Sequence, residues 1–199
     1  MPRTAALPFH LDGPLVTERL VLRLMTPNDV DAVYAYQSRE DVCRYLLYAP
    51  RTREQVSTRV AEHARADRLA GDGDYLQLAL ELRDTEDHPG QLVGDSYFTL
   101  SSVEHLRGEI GWSMHPDHTG RGYATEAATA VLDLAFSTIG LHRVHAELDP
   151  RNHASVAMCR RLGLREEAHF VQDVWFKGDW ADTGVHAILR DEWIGRSSS

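Results

Sequence analysis

The segment Met114-His115-Pro116-Asp117-His118-Thr119-Gly120-Arg121-Gly122-Tyr123-Ala124-Thr125-Glu126-Ala127-Ala128 is the part of the chain richest in chemistry. Its composition joins a strand to a long helix through a loop with two glycines. Glycine lets a backbone approach a ligand closely, and the first N–H groups of a helix, at the positive end of its dipole, make an anion site. A pyrophosphate is the guest that suits this combination. Two familiar phosphate loops are weakened by spacing. A P-loop needs Lys and then Ser or Thr after its second glycine, whereas Gly122 is followed by Tyr123 and Ala124. The dinucleotide fingerprint needs a third small residue at the position that Thr125 occupies.

Other residues that could do chemistry are more dispersed. His142 and His145 lie three apart on an expected strand, so they point to opposite faces and cannot readily share an ion. His115 and His118 add no third ligand, and no metal is assigned. Cys43 and Cys159 are the only cysteines, without metal-ligand spacing, which argues against a disulfide framework or zinc site and fits a reducing cytoplasm. The acidic stretch between Asp67 and Asp87 spans two expected loops and reads as a solvated rim.

These residues need a scaffold, and 199 residues suit one domain, with 1–13 and 195–199 expected to be loose. Hydrophobic residues at 43% and charged residues at 26% are enough for a packed core. With 30 acidic against 21 basic residues the formal charge is -9, which disfavours nucleic acid or an anionic membrane as partner; it favours cationic substrates such as amines, although a charge of this size usually does no more than keep a protein soluble. No apolar stretch approaches the ~20 residues of a membrane span. Leu15–Leu24 reads as a strand, and Asp29–Gln37 and Thr52–Leu69 as helices. Three strands, Tyr75–Leu82, Gln91–Leu100 and Gly108–Met114, then suggest an antiparallel meander. Gly122–Ile139 is an alanine-rich helix stopped by Gly140. Arg143–Leu148 is a strand, His153–Leu162 a helix, and Arg165–Lys177 with Thr183–Arg190 a closing strand pair. This order predicts an α/β fold with a mixed, mostly antiparallel central sheet and helices on both faces.

Nearly the whole chain resembles the GNAT superfamily of acetyl-CoA-dependent N-acetyltransferases, in the branch named for ribosomal-protein N-termini. The residues that carry the resemblance begin with Thr17-Glu18-Arg19-Leu20-Val21-Leu22-Arg23, Glu109-Ile110-Gly111-Trp112 and His115-Pro116-Asp117. They continue with Gly120-Arg121-Gly122-Tyr123-Ala124-Thr125-Glu126-Ala127 and Leu141-His142-Arg143-Val144. Asn152-His153-Ala154-Ser155, Leu162-Gly163-Leu164 and Glu192-Trp193 complete the set. One departure stands out, because Thr119 occupies a loop position where the family has Gln or Arg. A backbone cradle survives that change, but one side-chain contact does not carry over.

The resemblance implies acetyl-CoA as co-substrate, with its pyrophosphate on the backbone of Thr119, Gly120, Arg121, Gly122, Tyr123, Ala124 and Thr125. It places Met114 and His115 against the pantetheine arm, where the fourth and fifth expected strands splay apart. Asn152 is either a helix N-cap, a pantetheine contact, or both. Glu109 is implied as the general base, with Asp95 second; either could instead be a structural carboxylate. Family members often carry a tyrosine acid where Cys159 stands here, so Ser155, four residues earlier on the same helix face, is the expected proton donor to the leaving sulfur. Cys159 itself suits core packing. The acceptor is a primary amine; the resemblance points to a protein N-terminal α-amine, with a small molecule such as an antibiotic, polyamine or amino-acid derivative as the alternative. A non-catalytic acyl-CoA sensor would share the coenzyme site but need neither a base nor an acceptor cleft. A homodimer is compatible with the resemblance.

Overall fold

The computed structural model describes residues 4–84 and 90–196. Short strands β1 (Phe9–His10), β2 (Leu15–Val16) and β3 (Leu20–Leu24) lead through a 3-10 turn, Pro27–Asp29, into helices α1 (Val30–Gln37), α2 (Glu40–Cys43) and α3 (Arg53–His63). Strand β4 (Arg68–Leu69) precedes the long strands β5 (Tyr75–Leu82), β6 (Leu92–Ser102) and β7 (Arg107–Met114). A second 3-10 turn, Pro116–His118, opens onto α4 (Tyr123–Asp133), whose end widens into π-helical turns over Leu134–Ile139. Strand β8 (Arg143–Leu148), helix α5 (His153–Leu162), strands β9 (Arg165–Phe176) and β10 (Asp179–Leu189), and helix α6 (Arg190–Arg196) complete the chain.

Eight strands form one sheet in the order β2-β3-β5-β6-β7-β8-β10-β9, in which every pairing is antiparallel except β7 with β8. Alternation along the strands sends two sets of apolar side chains to opposite faces. On one face Leu22, Leu80, Phe98 and Ile110 pack with Ala127, Val131 and Leu132 of α4 and Met158 and Leu162 of α5. On the other, Ala79 and Leu92 meet Val33 and Tyr36 of α1 and Val56 and Val60 of α3. The expected mixed sheet with helices on both faces is therefore what forms.

Several expected boundaries change. The run Leu15–Leu24 is a hairpin, not one strand: Leu15 pairs with Leu22 and Val16 with Val21. Thr17 makes the turn, its N–H donating to the Leu20 carbonyl at 2.9 Å while its Oγ1 accepts from the Leu20 N–H at 3.0 Å. The helix expected to run to Leu69 stops at His63, because Arg68-Leu69 pairs with Phe9-His10 and buries Leu69 as a strand residue. That pairing also ties down the segment expected to be loose, as do bonds from Ala6 N–H to the Ile139 carbonyl (2.7 Å) and from Leu11 N–H to the Asp67 carbonyl (3.1 Å). At the other end, 195–196 belong to α6. Residues 1–3, 197–199 and the centre of the expected loop between Arg83 and Gly90, including Glu86 and Asp87, lie outside the described residues. The last strand starts at Asp179, four residues earlier than expected. Lys177 and Gly178 both adopt left-handed conformations (φ 54° and 80°), which gives a two-residue hairpin turn matched to strand twist.

Strand β6 passes close behind the end of β7. A Cβ on Gly94 would run into the Ser113 carbonyl oxygen and sit 3.1 Å from Met114 Cα. Both are backbone atoms of a paired strand and cannot move aside cheaply. Gly94→Ala is expected to lower stability by ~1–3 kcal/mol, read as a reduced urea midpoint at unchanged slope.

Candidate active site

Only Arg107, Gly108 and Glu109 of β7 pair with β8, opposite Arg143, Val144 and His145. Beyond Glu109 the two strands part. The N–H of His115 donates to the Val93 carbonyl of β6 at 2.8 Å. Because bonding direction alternates along an antiparallel ladder, the N–H and C=O of neighbouring Met114 face the other edge, where no strand takes them. A cleft of about 660 Å³ opens there. Its walls include Trp112 and Met114 of β7, Thr119, Gly120, Gly122 and Tyr123 of the loop and helix start, and Asn152 and Ser155 of α5.

The glycine loop is held open by groups remote in sequence. Gly122 is the N-cap of α4 at φ 84°, a conformation that suits glycine. Arg19 donates its backbone N–H and its Nε to the two carboxylate oxygens of Glu126, at 2.8 and 2.7 Å, and an Nη1 proton to the Arg121 carbonyl at 2.9 Å. Its guanidinium carbon also lies 4.7 Å from the centre of the Tyr123 ring. Thr17 Oγ1 donates to Glu126 at 2.5 Å. Burial opposes ionisation of Glu126, but the bonds from Thr17 and Arg19 outweigh it and hold the carboxyl below its ordinary pKa. Thr17-Glu18-Arg19, a strand motif in the sequence, thus locks the first turn of α4.

Helix α5 adds two polar groups. The Asn152 side-chain oxygen accepts from the Ser155 N–H at 3.2 Å, so Asn152 is the N-cap while still lining the cleft. Ser155 Oγ accepts from Trp112 Nε1 at 3.2 Å. A serine held through its oxygen keeps its own proton for another acceptor. Cys159 is fully buried, and that burial pushes its thiol up to about 12. It packs in the core and stays a protonated thiol at neutral pH, so it is no thiolate nucleophile.

A second cavity of about 670 Å³ lies across Leu46, which lines both. Glu109, Glu147, Tyr97, Tyr48, Lys177 and Trp180 are among its walls. Burial, helped by the nearby Glu147 carboxylate, raises the pKa of Glu109. The cavity runs between the Arg44–Tyr48 loop and the β9–β10 hairpin, and the two sides are strapped together by Lys177, whose Nζ donates to the Cys43 carbonyl at 2.5 Å.

Most of the expected site residues converge on the first cleft: Met114, Thr119, Gly120, Gly122, Tyr123, Ala124, Thr125, Asn152 and Ser155. His115 and Arg121 do not line it. The N–H of His115 is spent on Val93, its carbonyl accepts from His118, and its Nδ1 accepts from Asp117 at 3.2 Å, so it shapes the turn. Thr119 Oγ1 donates to the Pro116 carbonyl at 2.9 Å and closes the same turn. Asp95 lines neither cavity. It is 4% exposed and accepts from Tyr36, from Gln77 at 2.8 Å and from Gln37 at 3.3 Å. Burial pushes its pKa to about 6 against those bonds. Residues not foreseen include Arg19 and Glu126 as a clamp, Arg161 and Leu46 on the cleft wall, and Glu147 and Lys177 in the second cavity. Among the described residues no group of three His, Cys, Asp or Glu side chains is placed to hold a metal, and no helix is long and apolar enough to cross a membrane.

Residues 19–165 match the family model described as an acetyltransferase (GNAT) domain. The chain belongs to the GNAT family. Among relatives, the N-acetyltransferase YnaD of Bacillus subtilis, whose own role is uncharacterised, is 33% identical over 90% of this chain and 98% of its own length. A GNAT-family acetyltransferase from Bacillus anthracis superimposes with a TM-score of 0.79 at 30% identity, covering 90% of this chain and 99% of that one. The spermidine N-acetyltransferase of Vibrio cholerae, solved with CoA and spermine, shares the fold with a TM-score of 0.74 at 19% identity, over 89% and 99% of the two chains. This GNAT protein is an acetyl-CoA-dependent N-acetyltransferase, and the free β7 edge, the left-handed glycine cap and the cleft beside them fit that co-substrate.

Acetyl-CoA should therefore raise the melting temperature, by the equivalent of ~2.7 kcal/mol at a hundredfold excess over Kd, while nicotinamide cofactors leave it in place. At Gly122 an added Cβ meets Arg19 Nη2 at 3.3 Å in a backbone conformation that a branched residue resists. Gly122→Val should abolish the acetyl-CoA shift in the same melting assay.

Proposed function

We propose that this GNAT enzyme moves the acetyl group from acetyl-CoA to the primary amine of a small cationic molecule, with Glu109 as the general base and Ser155 as the acid. The observation that carries the reading is the pair of cavities meeting at Leu46, one beside the splayed strands and glycine cap, the other holding Glu109. The backbone from Gly120 to Thr125 would receive the pyrophosphate and the β7 edge at Met114 the pantetheine arm, the Thr119 N–H being bonded to the Pro116 carbonyl. Asn152, already an N-cap, has its side-chain NH2 left to offer that arm.

The amine enters as an ammonium. At pH 7 a group with pKa ~10.4 needs ~4.6 kcal/mol to lose its proton, and an α-amine at ~8 needs ~1.4 kcal/mol. Glu109 accepts that proton. The neutral nitrogen then forms a C–N bond at the acetyl carbonyl, and the C–S bond breaks with its electron pair going to sulfur. Ser155, steadied through Trp112, protonates the sulfur and recovers a proton from the nitrogen. The balance is one ammonium and one thioester giving an amide, a thiol and one proton released to solvent.

Carboxylates support the cationic acceptor. Glu109, Glu147, Asp149, Asp173, Asp179 and Asp182 face Arg44, Arg151 and Lys177 around the second cavity, and the chain as a whole carries -9. A structural relative named for spermidine acetylation points the same way. The Lys177 strap narrows the path that an extended peptide would need. A protein N-terminus, the acceptor of the ribosomal-protein branch, is the second reading; the ~3 kcal/mol easier deprotonation of an α-amine favours it.

Glu109→Gln should lower turnover by ~10²-fold or more while leaving the acetyl-CoA melting shift intact. The base works only when deprotonated and its pKa lies above the ordinary carboxylate value, so wild-type kcat/KM should rise with pH through that raised value. The deficit of Glu109→Gln should shrink near pH 9, where more acceptor is neutral. Ser155→Ala should slow turnover more than Cys159→Ala. In a thiol-release screen, polyamines and other small cationic amines should outperform short peptides of varied first residue; peptides turning over faster would transfer the proposal to the protein N-terminus.

A further inference from the structure

We infer that His145 takes the proton from Glu109 and passes it to Glu147, which delivers it to solvent. The inference rests on the reading of Glu109 as the base and adds the route by which that base is reset.

Register places the three groups together. Glu109 on β7 is the partner of His145 on β8, and Glu147, two residues further along β8, shares the His145 face. His145 Nδ1 lies 2.9 Å from the Gly108 carbonyl, which can only accept, so Nδ1 carries the ring proton of the neutral imidazole. Nε2 is then the basic nitrogen. It sits 3.8 Å from Glu109 Oε2 and 3.7 Å from Glu147 Oε1. These are ion-pair distances, too long for hydrogen bonds, so each hand-over uses a bridging water or a small side-chain rotation.

Exposure sets the direction. Side-chain exposure is 34% for Glu109, 13% for His145 and 51% for Glu147. The imidazole is the shielded middle of the chain, and Glu147 is its open end. Charges facing His145 are Glu109 and Arg107 on β7 and Glu147 and Arg143 on β8, while its β10 partner is the uncharged Ala187. Arg143 is itself paired with Glu167 at 2.8 Å. Burial lowers the pKa of His145, so the ring is neutral and ready to accept at pH 7, and the two flanking carboxylates stabilise it once charged. Each transfer moves one proton: the Glu109 O–H gives its proton to Nε2, Nε2–H gives it to the Glu147 carboxylate, and water removes it.

The test is the pH profile of kcat/KM for wild type, Glu109→Gln, His145→Gln and Glu147→Gln, each first shown to keep the acetyl-CoA melting shift. Both base and relay must be unprotonated, so the acid limb of the wild-type log plot should have a slope of about two, titrating as one coupled set. In His145→Gln the slope should fall to about one and kcat by ~10-fold or more, with KM for the amine little changed, and added imidazole buffer should restore rate in proportion to its free-base concentration. Glu147→Gln removes a charge that raises both neighbours, so its acid limb should move to lower pH. This exposed variant decides the matter if His145→Gln does not fold: an acid limb and kcat equal to wild type in Glu147→Gln overturn the relay. An unchanged slope and kcat in His145→Gln overturn it as well, while Glu109→Gln remains slow. If Glu109→Gln is itself fully active, the base assignment falls and the relay with it.

Discussion

Three residue pairs hold β7 to β8, and the parallel ladder ends with Glu109 opposite His145. β8 does not stop there, because it stays paired with β10 from Arg143 to Leu148. The sheet therefore forks. Gly108 permits the tight approach just before the fork, since a Cβ there would lie 2.9 Å from Leu141 and 3.0 Å from Phe98. Past it, the backbone groups of β7 that face the gap have lost their strand partner. Unpaired backbone groups in a crevice are costly unless water or a ligand takes them, and an extended arm with amide groups can do so as a strand would. The fork thus makes the first cleft, the proposed coenzyme site, and leaves Glu109 at its root, on the side of the second cavity.

The glycine cap depends on the fork as well, since α4 must begin where β7 ends. Its position is set from across the molecule by Arg19 and Thr17 on the β2–β3 turn, which hold Glu126 in the first turn of α4. A carboxylate there also meets the positive end of the helix dipole, worth ~0.3–1 kcal/mol. Arg19 is 44% exposed, so solvent screens the pair and its contribution to stability is modest. Orientation is the larger effect. With the carboxylate and the Arg121 carbonyl both gripped, the loop from Thr119 to Gly122 keeps its shape without needing a ligand to arrange it, and the Thr119 N–H is taken by the Pro116 carbonyl at 3.2 Å.

The elements with strong periodicity were legible in the residues. Alanine spacing and Gly140 revealed α4, and the strand runs from Tyr75 to Met114 formed the meander they implied. Short elements were not, because their stability is non-local. Arg68-Leu69 looked like the tail of a helix until Phe9-His10, some 60 residues away, claimed it as a strand. Leu15–Leu24 has the composition of one strand, but it folds back at a turn that Thr17 closes onto Leu20, with Thr17 also reaching Glu126. The residues that line the first cleft were readable because backbone and glycine leave a local signature. His145 and Glu147 were not, since their meaning comes from the register with Glu109. His115 is the opposite case: the resemblance places it with Met114 against the pantetheine arm, whereas its N–H is bonded to Val93 on the β6 edge, because successive residues of a strand send their backbone bonds to opposite edges.

Proton affinities show what burial would do for Glu109 as the proposed base. An ordinary carboxylate, pKa ~4.3, facing an ammonium of pKa ~10.4 starts ~6 units short, so direct transfer is uphill by ~8 kcal/mol. Each unit by which burial and Glu147 lift Glu109 recovers ~1.4 kcal/mol of that gap. The acidic walls work against this, because they attract the ammonium by favouring its charged form. A base that holds the proton more strongly is also slower to lose it to water. A neutral imidazole beside a carboxylic acid can take its proton without a charged group having to enter the cavity, and the bond that fixes the ring proton on Nδ1 leaves Nε2 to do so. In the proposed reaction the carboxylates that would draw a cationic amine in are the same ones that would steady the imidazolium on the way out, so one arrangement of charge would serve both attraction of the cation and removal of its proton.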